Sequence, residues 1–264
     1  MDFNQYKAMA FRRDGAVLHV ILNRPETLNA VDDDLDSDLS RVFEDIAADP
    51  ETRVAVVTGA GRAFSAGGNI EHMQTHIDDP SRFIDGIARG KKILYSLLDC
   101  PKPVIAKVNG HAIGLGATVA LFCDVIFAAK EAQIADPHVK VGFVAGDGGA
   151  VIWPQLIGYA RAKEYLLTGK SLTGEEAARI GLINHAVDAA ELDQAVDEFA
   201  HKLAAGAARA IGWTKLAVNI GLKQLAHSIL DASFAWEALS NTTADHREAV
   251  AAFREKRKPR FTGE

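Results

Sequence analysis

Two short segments carry residue types that can move protons. His138 stands in Ala135-Asp-Pro-His138, and Asp147 in Gly146-Asp-Gly-Gly149. An imidazole near its ordinary pKa is a competent general base, and a carboxylate can orient the ring and stabilise its cation. Nine positions separate the two, so a turn must bring them together, and that pairing is expected. Each has a plainer use as well. Asp147 could cap a helix opened by Gly148-Gly149, and His138 could pack beside Pro137.

Three glycine-rich segments form a second group: Gly59–Gly68, Asn109–Gly116 and Gly146–Gly149. The first two follow apolar segments directly, and the third precedes a helix. Glycine there lets the backbone take positive φ and approach a ligand closely. Amide groups at a helix start are unpaired and point outward. Two such starts could aim two N–H donors at one oxygen, as an oxyanion hole requires. A dinucleotide site is not supported, because Phe64 replaces the third glycine of Gly59-x-Gly61-x-x-Phe64 and no acidic residue follows in the expected place. GxxxxGK[ST] is absent, and Ser65 lies in Phe-Ser-Ala-Gly, not in a GxSxG elbow.

Alternating elements must position these groups. Val17–Leu22, Val54–Thr58, Pro103–Val108 and Asp124–Ala129 read as strands, and Asp33–Ala48 and Ser81–Leu98 as helices. Such alternation argues for an α/β core with crossover connections. Beyond Gly146 the pattern is mostly helical: Ala150–Leu167, Thr173–Ile180, Ala190–Ala207, Gly212–Leu222 and Ser228–Glu255. The expected organisation is an α/β core over 1–190 and a helical part over 191–264, whose charged end suits packing on a partner subunit.

Composition narrows the classes. The 264 residues carry 29 Lys+Arg against 35 Asp+Glu, a net charge of −6, which argues against a nucleic-acid partner. Cys100 and Cys123 form no CxxC pair, so neither a metal ribbon nor a disulfide framework is expected. The first residues lack the basic and apolar regions of a secretion signal, and no apolar run approaches the roughly 18 residues of a membrane span. The expectation is a soluble, reduced, cytoplasmic protein with no membrane partner.

Five motifs recur in a characteristic order. They are Leu22-Asn-Arg-Pro25…Asn29-Ala30, Gly61-x-x-Phe64-Ser-Ala-Gly67-Gly-Asn-Ile70, and Lys102-Pro-Val-Ile-Ala-Lys-Val-Asn-Gly110…Gly114-Leu-Gly116 through Cys123-Asp124. Leu167-Thr-Gly169…Gly181-Leu182 and Ala252-Phe-Arg-Glu-Lys-Arg257-x-Pro259-x-Phe261 complete them. With these the sequence resembles the enoyl-CoA hydratase/isomerase (crotonase) family over nearly its whole length. The resemblance implies a spiral of βαβ repeats with a helical C-terminal trimerisation part, and homotrimers or hexamers built as dimers of trimers. It implies an acyl-CoA thioester substrate, coenzyme A entering only as part of it, with no other cofactor and no metal. Two backbone N–H groups stabilise the thioester enolate in that family, here those of Gly68 and Leu115. Coenzyme A contacts would fall near Arg24, Ala66 and Ile70, and at Phe253 and Lys256 of the C-terminal helix.

The sequence departs from the family where hydratases carry two catalytic glutamates. Thr118 and His138 stand there instead. Asp147 falls where the family's dienoyl-CoA isomerases carry a catalytic aspartate. His138 and Asp147, with Gly148 and Trp153-Pro154, also resemble the crotonase-fold β-diketone hydrolases. The first expectation is therefore enolate chemistry of the hydratase/isomerase type, with His138 and Asp147 as the proton-transfer pair. The second is a hydrolase of a β-diketone or acyl thioester that uses this pair on water. The third is a non-catalytic CoA-binding protein. Asn69 reads as a helix cap and Glu71 as a first-turn acid. For His72, His76 and His111 an ordinary packing role is favoured, and Trp153 suits core or pocket equally. Gln74–Gly90, with His76, Phe83, Ile84 and Ile87, is expected to wall a pocket for a medium or bulky acyl group.

Overall fold

Every residue of Val54–Gly59 is buried, as its unbroken apolar run requires of a strand covered on both faces. The computed structural model describes residues 2–264. Its strands are β1 (Met9–Asp14), β2 (Val17–Leu22), β3 (Val54–Gly59), β4 (Ala63–Ser65), β5 (Val104–Val108), β6 (His111–Ile113), β7 (Val125–Ala129), β8 (Gln133–Ala135), β9 (Leu172–Thr173) and β10 (His185–Val187). Its helices are α1 (Asp33–Ala48), α2 (Ile70–Asp78), α3 (Pro80–Asp99), α4 (Leu115–Leu121), α5 (Gly149–Thr168), α6 (Gly174–Ile180), α7 (Leu192–Ala204), α8 (Ala208–Ser240) and α9 (Ala244–Arg254).

The strands form two sheets, in the orders β1-β2-β3-β5-β7-β10 and β4-β6-β8-β9. β2, β3, β5, β7 and β10 run parallel, and β1 closes the edge as an antiparallel hairpin with β2. Each turn of the α/β spiral supplies a long strand to the first sheet and a short one to the second: β3 then β4, β5 then β6, β7 then β8. The short strands lie within or beside segments that read from sequence as turns, because three residues are too few for a period of two to register.

One apolar core runs from Tyr6 to Phe234 and takes in Leu192, Val196 and Ala200 of α7 and Leu230 of α8. The C-terminal helical pattern is divided differently from the expectation. Gly212–Leu222 and Ser228 onward are one helix, α8, and the Ser228–Glu255 segment breaks at residues 241–243. Thr243 starts the next helix there by accepting from the His246 N–H. Ala150–Leu167 lies within α5, but Gly158 interrupts it at φ 77°.

Candidate active site

The two backbone donors expected from the resemblance come from consecutive turns of the spiral. Gly67 lies between β4 and α2 at φ 81°, and Gly114 between β6 and α4 at φ 53°. Glycine is needed at both: a Cβ on Gly67 would sit 2.6 Å from the Ile113 carbonyl oxygen. Leu115 is the first residue of α4, so its N–H has no partner in the helix. Among the described residues neither Gly68 N nor Leu115 N donates a hydrogen bond. Both residues line one cavity together with His138 and Asp147.

His138 opens a short 3-10 turn, His138–Val141, and its ring is sandwiched between carboxylates. Its Nδ1 meets Asp136 Oδ1 at 2.5 Å, and its Nε2 faces Asp147 Oδ2 at 3.5 Å and Glu237 Oε1 at 4.0 Å. The 3.5 Å gap exceeds an ordinary hydrogen bond but is within reach of a small adjustment or one water. The expected His138–Asp147 juxtaposition is thus present. Asp147 also accepts from Thr118 Oγ1 at 3.2 Å and from the Gly149 N–H at the start of α5. It is a helix-start acceptor and a cavity residue at once.

Burial opposes a charge on His138, but Asp136, Asp147 and Glu237 outweigh it and raise the pKa well above the ordinary 6.5. The imidazolium is therefore the favoured form at neutral pH. Burial leaves Asp147 raised above its ordinary carboxylate range, although His138 opposes the shift. Burial and the neighbouring Asp147 push Glu237 well above the carboxylate range. Asp136, His138 and Asp147 each bring a ligand-type atom within 4.8 Å of the others. Asp136 engages Nδ1 from one side, which leaves Nε2 as the ring nitrogen turned toward Asp147 and Glu237.

The cavity has about 850 Å³ of free space, counting that open to solvent, and Phe83, Ile87, Phe143 and Phe234 form much of its apolar wall. A second cleft joins it at Gly68, Asn69, Met73 and His138, and is lined by Ala66, Ile70 and Phe253. Arg24 and Lys256 line neither cleft. The Arg24 guanidinium donates to the Lys7 carbonyl at 2.9 Å, and Lys256 is exposed just beyond α9.

His76, Phe83 and Ile87 face the cavity, whereas Ile84 turns outward and is 59% exposed. His72 and His76 meet with tilted rings, centroids 4.5 Å apart, at the cavity wall. Burial, with His72 beside it, lowers His76 to about 4, leaving it neutral. His111 is exposed outside both clefts, and Trp153 is core. Asn69 caps α2, and Glu71 pairs with Arg254.

Sequence reasoning missed Asp136 and Glu237. Asp136 had a signal, since it stands two positions before His138 in Asp-Pro-His. Glu237 had only a faint one: an acid in the apolar run Phe234-Ala-Trp-Glu-Ala-Leu239.

The family model described as enoyl-CoA hydratase/isomerase matches residues 12–264. The chain belongs to the enoyl-CoA hydratase/isomerase family. It is 35% identical over 249 residues to a short-chain-enoyl-CoA hydratase from Clostridium acetobutylicum, covering 93% of this chain and 94% of that protein. Among solved structures it resembles an enoyl-CoA hydratase/isomerase from Mycobacterium paratuberculosis, with TM-score 0.90, 38% identity, and 94% and 99% of the two chains covered. It also resembles a β-diketone hydrolase from the cyanobacterium Anabaena, solved with (S)-3-oxocyclohexyl acetic acid bound, with TM-score 0.84, 28% identity, and 91% and 96% covered. The crotonase-like α/β fold expected from the motifs is the fold shared with these family members.

Proposed function

We propose that this enoyl-CoA hydratase/isomerase family member binds an acyl-CoA thioester and acts on it through an enolate, as a hydratase or isomerase. The observation that carries this reading is His138 Nε2 and Asp147 Oδ2, 3.5 Å apart, in the cavity that also holds the free N–H groups of Gly68 and Leu115. The two N–H groups would receive the thioester oxygen as it gains charge; each such donor is typically worth about 2.7–4 kcal/mol in the transition state. His138, surrounded by carboxylates, is the proton-loaded member of the pair, and Asp147 the accepting one. Asp147 would take a proton from water or from the acyl chain, and the imidazolium would balance the charge. The adjoining cleft with Ala66, Ile70 and Phe253 suits the coenzyme A arm. Arg24 and Lys256 would contact its outer, charged end. Coenzyme A enters only with the substrate.

A second reading is hydrolytic cleavage of a β-diketone or acyl thioester, with the same pair activating water. It is favoured by the likeness to the Anabaena hydrolase and by Thr118 and His138 standing where hydratases carry glutamates. One panel separates the readings: short and aromatic enoyl-CoAs, saturated acyl-CoAs and a cyclic β-diketone, with wild type, His138→Ala and Asp147→Asn. Hydration or isomerisation falling at least about 100-fold in both variants is expected. Activity unchanged by both would sink the assignment of the pair. Diketone cleavage alone would promote the second reading, and CoA binding without turnover a non-catalytic role.

We further propose that the protein works in the cytoplasm as a homotrimer or a hexamer of paired trimers. Supporting self-association, α8 leaves Trp213, Val218, Ile220, Trp236 and Leu239 exposed. No described helix is long and apolar enough to cross a membrane.

A further inference from the structure

Glu237 is a buried acid that the His138–Asp147 pair leaves unused. It comes from the last turns of α8, far in sequence from both glycine loops. Its side chain is only 6% exposed, and Oε1 lies 4.0 Å from His138 Nε2, the nitrogen that also faces Asp147. Oε2 is buried and has no hydrogen-bond partner among the described residues. A carboxyl group placed so is disfavoured unless a ligand or a proton completes it.

The surroundings are shaped around this acid. Ser233 Oγ, one turn earlier on α8, donates to the Gly146 carbonyl at 2.8 Å and clamps the helix to the loop that carries Asp147. A Cβ on Gly146 would fall 2.7 Å from Glu237 Oε2, so a bare glycine leaves room for the carboxyl. His138 touches both clefts, whereas Glu237 lines only the acyl cavity. The charged groups nearest it are His138 and Asp136 on the β8 side and Asp147 ahead of α5. Asp32, Asp36, His72, His76 and Arg89 lie elsewhere on the cavity wall. Burial, then Asp147, raise the carboxyl well above its ordinary 4.5 and so favour its protonated form.

We propose that Glu237 is a second catalytic acid of this cavity: it delivers its carboxyl proton to the enolate carbon of the bound acyl group, and His138 replaces that proton. The step rests on the enolate reading above. The Glu237 O–H bond breaks and its electron pair stays on the carboxylate. The enolate C=C pair forms the new C–H bond, and the thioester carbonyl re-forms. The imidazolium then passes its Nε2 proton to Glu237, 4.0 Å away, by a small side-chain adjustment or through one water. The proton that Asp147 took from water or substrate returns to His138, so the cluster ends as it began. An acid whose pKa is raised by burial and a neighbouring carboxylate can act in this way near neutral pH.

Two measurements test this. The first needs no substrate. Infrared spectra at neutral pH should contain the carbonyl band of a protonated carboxylic acid that disappears in Glu237→Gln; a wild-type protein without that band overturns the proposal. The second follows turnover and exchange of acyl-CoA α-hydrogens with D2O across pH. Glu237→Gln should lower kcat at least about 100-fold with KM changed less than about threefold, and Glu237→Asp should restore part of the rate. A Gln variant with wild-type kcat and pH profile overturns the role of Glu237 while leaving the enolate reading intact. A wild-type enzyme that neither turns over nor exchanges any thioester overturns the enolate reading, and this step with it.

Discussion

At the scale of residues the cavity is a problem in proton placement. One imidazole shares a small, buried volume with Asp136, Asp147 and Glu237. The pKa shifts link the site to stability with a defined sign. His138 is raised above its ordinary 6.5, so its contribution is full below that value and is lost as pH rises through the folded value. Glu237 is an acid whose folded pKa lies above its ordinary 4.5, so the folded state holds more protons than the unfolded one above that pH. Stability arising from this group therefore also falls as pH increases. Glu237→Gln removes that loss. Urea midpoints at pH 5, 7 and 9 should show the variant gaining on wild type as pH rises above 5, until the folded pKa is passed; a constant difference would count against a raised Glu237. For catalysis, a step that needs the imidazolium should decline at alkaline pH, and His138→Ala should abolish that limb of the kcat profile.

At the scale of elements, the proposed oxyanion donors depend on main-chain direction, which side chains alone do not reveal. Gly114 sits at φ 53° and ψ −125°, where an L side chain is strained. Gly114→Ala should cost about 1–3 kcal/mol of stability and, by turning the Leu115 N–H, reduce kcat. Gly15 is a control: it has φ 57° with open space around it, so Gly15→Ala should destabilise mildly and leave kcat unchanged. Equal kinetic effects at both positions would detach the Gly114 turn from the reaction. Under the proposed acyl-CoA reading, the wall formed by α2 and α3 would limit acyl size. Phe83 sits between His76 and Phe143 in edge-on contacts, at centroid distances of 5.6 and 6.0 Å. Phe83→Ala should shift kcat/KM toward bulkier acyl groups, and an unchanged ranking of a chain-length series would show that this wall does not select.

The main elements were legible because their signals are local. Val54–Thr58 is a β-branched apolar run, and Asp33–Ala48 keeps helical spacing through Leu35, Leu39, Val42 and Ile46. The three-residue strands, β10 and the break at residues 241–243 were not read, because short segments take their state from what they pack against.

At the scale of the whole molecule, α8 joins the sheet to the cavity. Lys215, near its start, is buried and bonds Asp124 Oδ2 at 2.8 Å and the Lys102 carbonyl at 3.0 Å. Asp124 in turn accepts from Val104 N at 2.7 Å, which fastens β5 to the turn before β7. Some 20 residues later the same helix presents Glu237 to His138. Lys215→Ala leaves Asp124 without its counter-charge and should cost about 3–5 kcal/mol, read as a lower urea midpoint. A loss under about 1 kcal/mol would mean that solvent reaches the pair. Sedimentation should find an oligomer that Trp236→Glu weakens, if the exposed face of α8 is an interface; a monomeric wild type would remove that proposal.

The sequence by itself determined the α/β spiral, the family, the positions of both glycine turns and the identity of the His138–Asp147 pair. These are written in motif order and local periodicity, which survive without coordinates. Only the tertiary structure decided that Asp136 grips the far side of the imidazole, that Glu237 enters from a helix about a hundred residues away, and that Ile84 faces solvent while His76 faces the cavity. Those facts depend on how helices pack across the sheets. Packing brings distant residues within a few ångströms, and no one-dimensional spacing records it.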